Sequence, residues 1–349
     1  MKTEFVKVDP SDLYSCADII DTAAKIIRRG GLVVFPTETV YGLGADGTSA
    51  EAASKIYAAK GRPSDNPLII HISSPEEAEL YTYTDKTYYE LAKRFMPGPL
   101  TVVLKSKPII PVETRASLPT VAVRCPEHPV ARALIKAAGK PIAAPSANLS
   151  GSPSPTNAGH VFDDMNGRVD MIIDGGECEI GLESTIVKIE DDGSLVLLRP
   201  GRITPEELAS VASLTIADAV VDKLREGETV LSPGMKYRHY APKAPLMLID
   251  GDTRHAISYL RDKSDCRMAV ISYKEDEALY REAFPESKIF VLGSRDDEAE
   301  QAHALFSLLR EADKLELDAI YAPLPEKRGM GLALYNRMIR AAAHTIIKL

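Results

Sequence analysis

The sequence predicts an α/β protein in two parts: a twisted mixed sheet flanked by helices, followed by a smaller, Rossmann-like parallel sheet. Three observations predict it. The chain has 349 residues, 45% of them hydrophobic and 26% charged, enough for two cores. From Asp250 onward, short apolar runs alternate regularly with helical stretches, the pattern of βαβ units. Before that point the strand candidates are unevenly spaced, which suits a sheet of mixed direction.

In chain order, residues 32–35 read as a buried strand, and Thr48 with Glu51 forms a T-x-x-E capping box that opens a helix through Ala59. Gly61 stops that helix and Pro63 prevents its resumption. Candidate strands follow at 66–72, 100–104, 121–124, 171–174, 184–189 and 195–198. Between them, residues 141–162 (PIAAPSANLSGSPSPTNAGHVF) carry no charged side chain and are rich in Ser, Pro, Gly and Asn, so they read as a long functional loop after a short buried strand. Residues 205–212 form a helix behind a second capping box, Thr204 with Glu207. The parallel part holds strands at 246–249, 268–272, 289–292 and 319–321, with an acid-rich helix at 296–314. The expected boundaries are residues 1–202, a linker at 203–245 ending in SPGMKYRHYAPKAP, and residues 246–349.

Composition removes several classes. Twenty-four prolines and 22 glycines without a repeat exclude collagenous and coiled-coil chains. The start, MKTEFVKVDPSDLYS, lacks the apolar core of a secretory signal, and no 18-residue run is both apolar and uncharged, so a cytoplasmic location away from membranes is expected. Cys16, Cys125, Cys178 and Cys266 lie far apart, which reads as buried thiols rather than a zinc knuckle or disulfide framework. None of the seven histidines has another at i+3 or i+4, so no metal site built by the protein is expected; any metal arrives with a ligand.

A net charge of −8 opposes general affinity for polyanions, yet residues 91–142 hold nine Lys or Arg against two acids, a net +7. That window is either a solvated face with acidic partners elsewhere in the fold or a groove for a phosphorylated ligand. A second ambiguity is Gly42-Leu-Gly44-Ala-Asp-Gly47, which matches the G-x-G-x-x-G dinucleotide fingerprint. Six residues separate it from the preceding strand, and no acid ends a second strand about 20 positions on, so the match is weak. There is no P-loop. More informative is FPTETVYGLG, followed by a helix and then K-G-R-P-S-D-N-P from Lys60 to Pro67. Lys60 and Arg62 can project to the edge where that loop lies and suit an anion there, or Lys60 simply complements the helix dipole. Thr39 could likewise only end a strand, and His71 could be a core histidine.

FPTETVYGLG, K-G-R-P-x-x-N-P, MPGPLTVVL, LPTVAVRCPEHP, PIAAPSANLSGSPSPT, GLESTIV and LLRPG occur in this order over about 190 residues. Together they resemble the YrdC-like threonylcarbamoyl-AMP synthases. PGMKYRHYAP and the tail containing GMGLALYNRMIRAA resemble the longer, two-domain form. The resemblance implies an N-terminal domain with a concave cleft and an enzyme that makes threonylcarbamoyl-AMP and pyrophosphate from L-threonine, bicarbonate and ATP. That is the first step toward threonylcarbamoyladenosine in tRNA. It places Thr39, His71, Arg124, Ala144 and Ser184 around threonine, and Lys60, Arg62, Asn66, Thr120, Ser146, Asn148, Ser154 and Arg199 around ATP. Lys60 and Arg62 are the catalytic cations, and Mg²⁺ arrives with ATP. A downstream threonylcarbamoyl transferase complex receives the product, and direct tRNA contact stays open. Catalysis by positioning and charge neutralisation explains why the chain shows no catalytic triad or carboxylate pair. Within the linker, the segment 232–242 with Tyr237, Arg238 and His239, bracketed by Pro233-Gly234 and Ala241-Pro242, suits either a lid over the cleft or static packing between the domains. The competing function class is an RNA-binding protein that uses the basic window. Phe95 is that window's lone aromatic and the chain has no Trp, a poor platform for base stacking.

Overall fold

The computed structural model describes residues 2–222, 240–263 and 266–349. They form two compact units, residues 2–150 with 154–222, and Gly151–Pro153 with residues 240–349. Residues 203–222 of the expected linker therefore belong to the first unit, whereas Tyr237, Arg238 and His239 lie outside the described residues. Among the described residues no helix is long and apolar enough to cross a membrane.

The first unit contains β1 (Glu4–Lys7), β2 (Val33–Phe35), β3 (Gly42–Asp46), β4 (Ile69–His71), β5 (Leu100–Lys105), β6 (Thr120–Arg124), β7 (Ile142–Ala143), β8 (Met171–Asp174), β9 (Thr185–Ile189), β10 (Leu195–Arg199) and β11 (Leu214–Ile216). They form one sheet in the order β1-β8-β2-β3-β7-β4-β6-β5-β9-β10-β11. Parallel pairs such as β4 with β6 alternate with antiparallel ones such as β5 with β6, the mixed sheet expected. Helix Ala17–Arg28 covers one end of it because Ile20, Ala23, Ala24 and Ile27 fall on one face, which packs with Phe35 and Leu134.

Two local expectations change. The helix Ala50–Lys60 is capped by Ser49, whose hydroxyl accepts from the Ala52 amide at 3.2 Å. Thr48 instead bonds the Asp46 carboxylate through its amide and its hydroxyl, at 2.9 and 2.6 Å, because that carboxylate at the end of β3 offers a closer local partner. The strand expected at 66–72 shortens to Ile69–His71, since the Arg62 guanidinium and the Tyr57 hydroxyl both donate to the Asn66 carbonyl and hold it out of the ladder.

The glycine fingerprint is not a loop at all. Gly42–Asp46 is the fully buried strand β3, paired antiparallel to β2. A Cβ on Gly44 would stand 2.7 Å from Cε1 of Phe35 and 2.8 Å from Cγ2 of Ile142, so glycine is present here to let an aromatic ring lie against the strand.

In the second unit β12 (Leu246–Asp250), β13 (Met268–Tyr273), β14 (Lys288–Gly293), β15 (Ala319–Pro323) and β16 (Ile346–Lys348) form a sheet in the order β14-β13-β15-β12-β16. Every pairing is parallel. Helices Thr253–Arg261, Glu277–Ala283, Glu298–Ala312 and Gly331–Ala341 connect the strands. The four expected strands are present, each running one or two residues further, and β16 is added at the end.

Two glycine substitutions should separate packing from backbone strain. Gly44→Ala should cost about 1–3 kcal/mol through overpacking against Phe35. Gly61, at φ +61° with nothing within 4 Å of a Cβ, should cost about 1 kcal/mol as alanine, from the left-handed conformation alone. Urea titrations compare the two, and an unchanged midpoint for Gly44→Ala would contradict the packing argument.

Candidate active site

The site is built at one end of β4, β5 and β6. Parallel register sets His71 of β4 beside Arg124 of β6, and antiparallel register sets Thr101 of β5 across from the same arginine. Arg124 is 4% exposed and its Nη2 donates to Oε1 of Glu38 at 2.7 Å, itself 5% exposed. Oε2 of Glu38 accepts from the Glu127 amide at 3.2 Å. Nε of Arg124 is buried with no hydrogen-bond partner, so the guanidinium keeps one donor aimed where the chain itself supplies no acceptor.

Glu38 and Thr39 sit in the P-T-E-T loop between β2 and β3. The Thr37 hydroxyl donates to the Val40 carbonyl at 2.6 Å and meets the Thr39 hydroxyl at 2.9 Å. The amides of Ile180 and Gly181 bond the carbonyls of Glu38 and Thr39, tying the loop to the GLESTIV segment. Burial first, and then the Arg124 guanidinium, push the His71 imidazole down to about 3. His71 is therefore neutral at physiological pH and adds no positive charge beside Arg124.

Ser184 joins the same cluster, its hydroxyl 2.8 Å from that of Thr101. Arg199, at the end of β10, grips Ser184 by donating Nε to the carbonyl at 3.0 Å and Nη2 to the hydroxyl at 3.1 Å. Ala144 is buried, with its amide on the Ile69 carbonyl and its methyl facing Gly42, so it offers contact rather than polarity.

The remaining candidates gather around the uncharged loop. Lys60 ends its helix but reaches away from it: Nζ donates to the carbonyls of Ser146 and Asn148, the latter at 2.6 Å, and to Oδ1 of Asn148 at 3.3 Å. The Ser146 hydroxyl bonds the same Oδ1 at 2.5 Å. Arg62 clasps the carbonyls of Asn66 and Pro67, both at 3.2 Å. The Asn66 side chain is 1% exposed, and neither its Oδ1 nor its Nδ2 has a hydrogen-bond partner. Ser154 donates to Oε1 of Glu183 at 2.5 Å. Thr120 stands at the opposite end of β6 from Arg124, two residues before the Ala122–Ile69 pair and so level with Pro67, on the Arg62 side. Lys60, Ser146 and Asn148 thus meet directly, as do Ser184 and Arg199, while no described hydrogen bond links Thr120 to the others.

Glu38, Thr101 and Glu183 belong to this arrangement although the sequence did not single them out. Each lies inside a motif that was noted (PTET, PLTVVL, GLEST), but their partners are far away in the chain.

Folding compensates part of the basic window. Arg124 pairs with Glu38, Lys105 with Asp191 and Lys140 with Asp46, while Arg115 bonds the carbonyls of Ile110 and Leu118. The acidic partners were elsewhere in the fold.

Two experiments follow from this geometry. Arg124→Ala strands a buried carboxylate and should lower stability by about 3–5 kcal/mol, whereas the double variant Glu38→Gln, Arg124→Gln should recover most of that loss. A denaturant double-mutant cycle showing additive losses would refute the pairing. For His71, the folded state resists protonation, so its contribution is complete above pH 6.5, its ordinary value, and is lost as pH falls toward about 3. His71→Gln should remove about one proton, roughly 1.4 kcal/mol per pH unit, from the slope of stability below pH 6.5, read from midpoints measured at a series of pH values.

Comparison with known proteins identifies the family. A family model for Sua5, YciO and YrdC proteins, described as Telomere recombination, matches residues 25–201. A second, described as Threonylcarbamoyl-AMP synthase, C-terminal domain, matches residues 203–343. The Threonylcarbamoyl-AMP synthase of Pyrococcus abyssi is 44% identical over 337 residues, covering 94% of this chain and 95% of that one. Its namesake from Bacillus subtilis is 43% identical over 355 residues, covering 100% of both. The crystal structure of P. abyssi Sua5 complexed with L-threonine superposes with a TM-score of 0.87 at 41% identity, again over 100% of both chains. With both family models matched and relatives this similar along its whole length, the chain belongs to the threonylcarbamoyl-AMP synthase family, in its long Sua5 form.

Proposed function

We infer that the chain condenses L-threonine, bicarbonate and ATP into threonylcarbamoyl-AMP and pyrophosphate, the first step of threonylcarbamoyladenosine modification of tRNA. One observation carries the reading: a buried arginine with an unpartnered Nε, beside a neutral histidine and a serine–threonine hydroxyl pair, a few residues along the sheet from an unsatisfied buried amide. The relatives named as synthases, and a threonine complex of one of them, support it.

In the proposed reaction the threonine amine adds to the carbon of bicarbonate with loss of water, giving a carbamate. A carbamate oxygen then attacks the α-phosphorus of ATP as the bond to the β,γ-pyrophosphate breaks. No side chain needs to form a covalent bond; the chain must hold two anions in line and offset their charge. Arg124 is proposed to meet the threonine carboxylate through Nε, with Thr39, His71 and Ser184 around the amino acid and Ala144 shaping the pocket. Lys60, Arg62, Asn66, Thr120, Ser146, Asn148, Ser154 and Arg199 are proposed to surround ATP. Magnesium, if it arrives bound to the triphosphate, would supply positive charge that offsets that of the leaving pyrophosphate. The described residues hold no group of three or more His, Cys, Asp or Glu side chains that could ligate it unaided. Four free thiols suit the reducing cytoplasm, where a threonylcarbamoyl transferase would take over the product.

RNA binding as the main activity is the weaker reading, because Lys105, Arg124 and Lys140 of the basic window take acidic partners and the similar full-length relatives are named as synthases. Incubation with ATP, labelled bicarbonate and L-threonine should yield labelled threonylcarbamoyl-AMP only when all three are present. Arg62→Ala should raise the KM for ATP more than that for threonine. Threonine-independent pyrophosphate release, together with tRNA affinity that falls steeply with salt, would reverse the assignment.

A further inference from the structure

The second unit ends its strands in a cleft whose lining includes none of the candidate active-site residues. β13 leads outward to β14, whereas β15 leads the other way, past β12, to β16, so the connections after β13 and β15 diverge. In open parallel sheets this switch point, at the carboxyl ends of the strands, is where ligands bind. Here Tyr273 ends β13 and Pro323 ends β15, and both line the cleft. An inner cavity of about 190 Å³ is walled by Ile249, Ala256, Ile271 and Tyr280. It shares Ile249, Gly251, Tyr273, Arg295 and Pro323 with an outer one of about 590 Å³.

Ser272 lines the inner cavity, is 1% exposed, and its hydroxyl has no hydrogen-bond partner. Strand alternation puts Ser272 on the face of Met268 and Val270, where they pack with Ala256 and Tyr280. A buried hydroxyl without a partner costs free energy unless something else bonds it.

The charges of the cleft disfavour a phosphate. Helix N-termini after β12 and β14 would normally attract one. Asp252 already accepts from the amides of Arg254 and His255 at 2.9 and 3.0 Å, and Asp297 accepts from that of Glu300 at 2.9 Å, so the chain's own carboxylates occupy both. The two arginines are also engaged: Arg295 pairs with Asp276 and lies 4.4 Å from the centre of the Tyr273 ring, and Arg328 pairs with Glu326 at 2.5 Å. Asp250 and Glu298 add further negative charge to the outer cavity.

We propose that this cleft is a second binding site, for an unphosphorylated nucleoside. Its flat heterocycle enters the inner cavity and bonds the Ser272 hydroxyl, and its vicinal ribose hydroxyls donate to carboxylates of the outer cavity, Asp250 among them. The site is independent of threonine and ATP binding in the first unit.

The test is calorimetric titration of the full chain with adenosine, guanosine and AMP, with an ATP analogue and L-threonine present to fill the first unit. One nucleoside should bind at a single site, and AMP at least tenfold more weakly. Ser272→Ala should weaken the nucleoside about tenfold while leaving the melting temperature of the ligand-free protein unchanged or raised, because the hydroxyl loses no native bond. Asp250→Asn, at an exposed position, should weaken the nucleoside and narrow the gap to AMP. Absence of nucleoside binding at millimolar concentration, binding indifferent to both substitutions, or AMP binding as tightly as its nucleoside would overturn the proposal. So would a fall in the melting temperature of ligand-free Ser272→Ala, which would make the hydroxyl structural.

Discussion

A guanidinium buried within the sheet governs the first unit. Burying the Arg124 guanidinium at 4% exposure is costly without a counter-charge, and Glu38 supplies one from a loop 86 residues earlier in the chain. That demand fixes the P-T-E-T loop, which the Thr37 hydroxyl and the amides of Ile180 and Gly181 then hold in place. The same charge helps keep His71 neutral on the adjacent strand. The pair occupies one side of the arginine and leaves Nε unbonded, so a structural ion pair and an incomplete donor set coexist in one residue.

Around it, cations are positioned by carbonyl oxygens. Lys60 could have served its own helix's dipole, but its ammonium bonds the carbonyls of Ser146 and Asn148, and Arg62 bonds those of Asn66 and Pro67. A carbonyl oxygen orients a cation by accepting from it, so these two side chains are held by backbone from segments remote in sequence or across a turn. In the uncharged 146–156 loop, backbone and small hydroxyls can approach a ligand closely.

The second unit uses the same elementary parts toward the opposite end. Its parallel strands present helix N-termini and a switch-point cleft, the usual setting for a phosphate, yet Asp252 and Asp297 cap those helices and acids outnumber arginines around the opening. The two sheets thus differ in the charges that stand at their strand ends, a buried arginine at the end of β6 and mostly carboxylates around the cleft of the second unit. The difference lies in which side chains stand at the strand ends, not in the strands.

Much of this was legible in sequence because it is local. Apolar periodicity located most strands, the Thr204–Glu207 capping box formed as read, Gly61 took the left-handed conformation that ends its helix, and motif order identified the family. Tertiary structure decided whatever depends on partners distant in the chain. Gly42 to Asp46 became a strand because Phe35 and Ile142 pack against Gly44, which no reading of G-x-G-x-x-G could show. Three cations of the basic window are compensated by acids from outside it, Glu38, Asp46 and Asp191. Thr101, Glu183 and Ser272 acquired significance only once neighbouring strands and loops showed which hydroxyls and carboxylates were matched and which was not. Hydrogen-bond satisfaction and charge compensation are properties of packed surroundings, and a sequence states its groups without their neighbours.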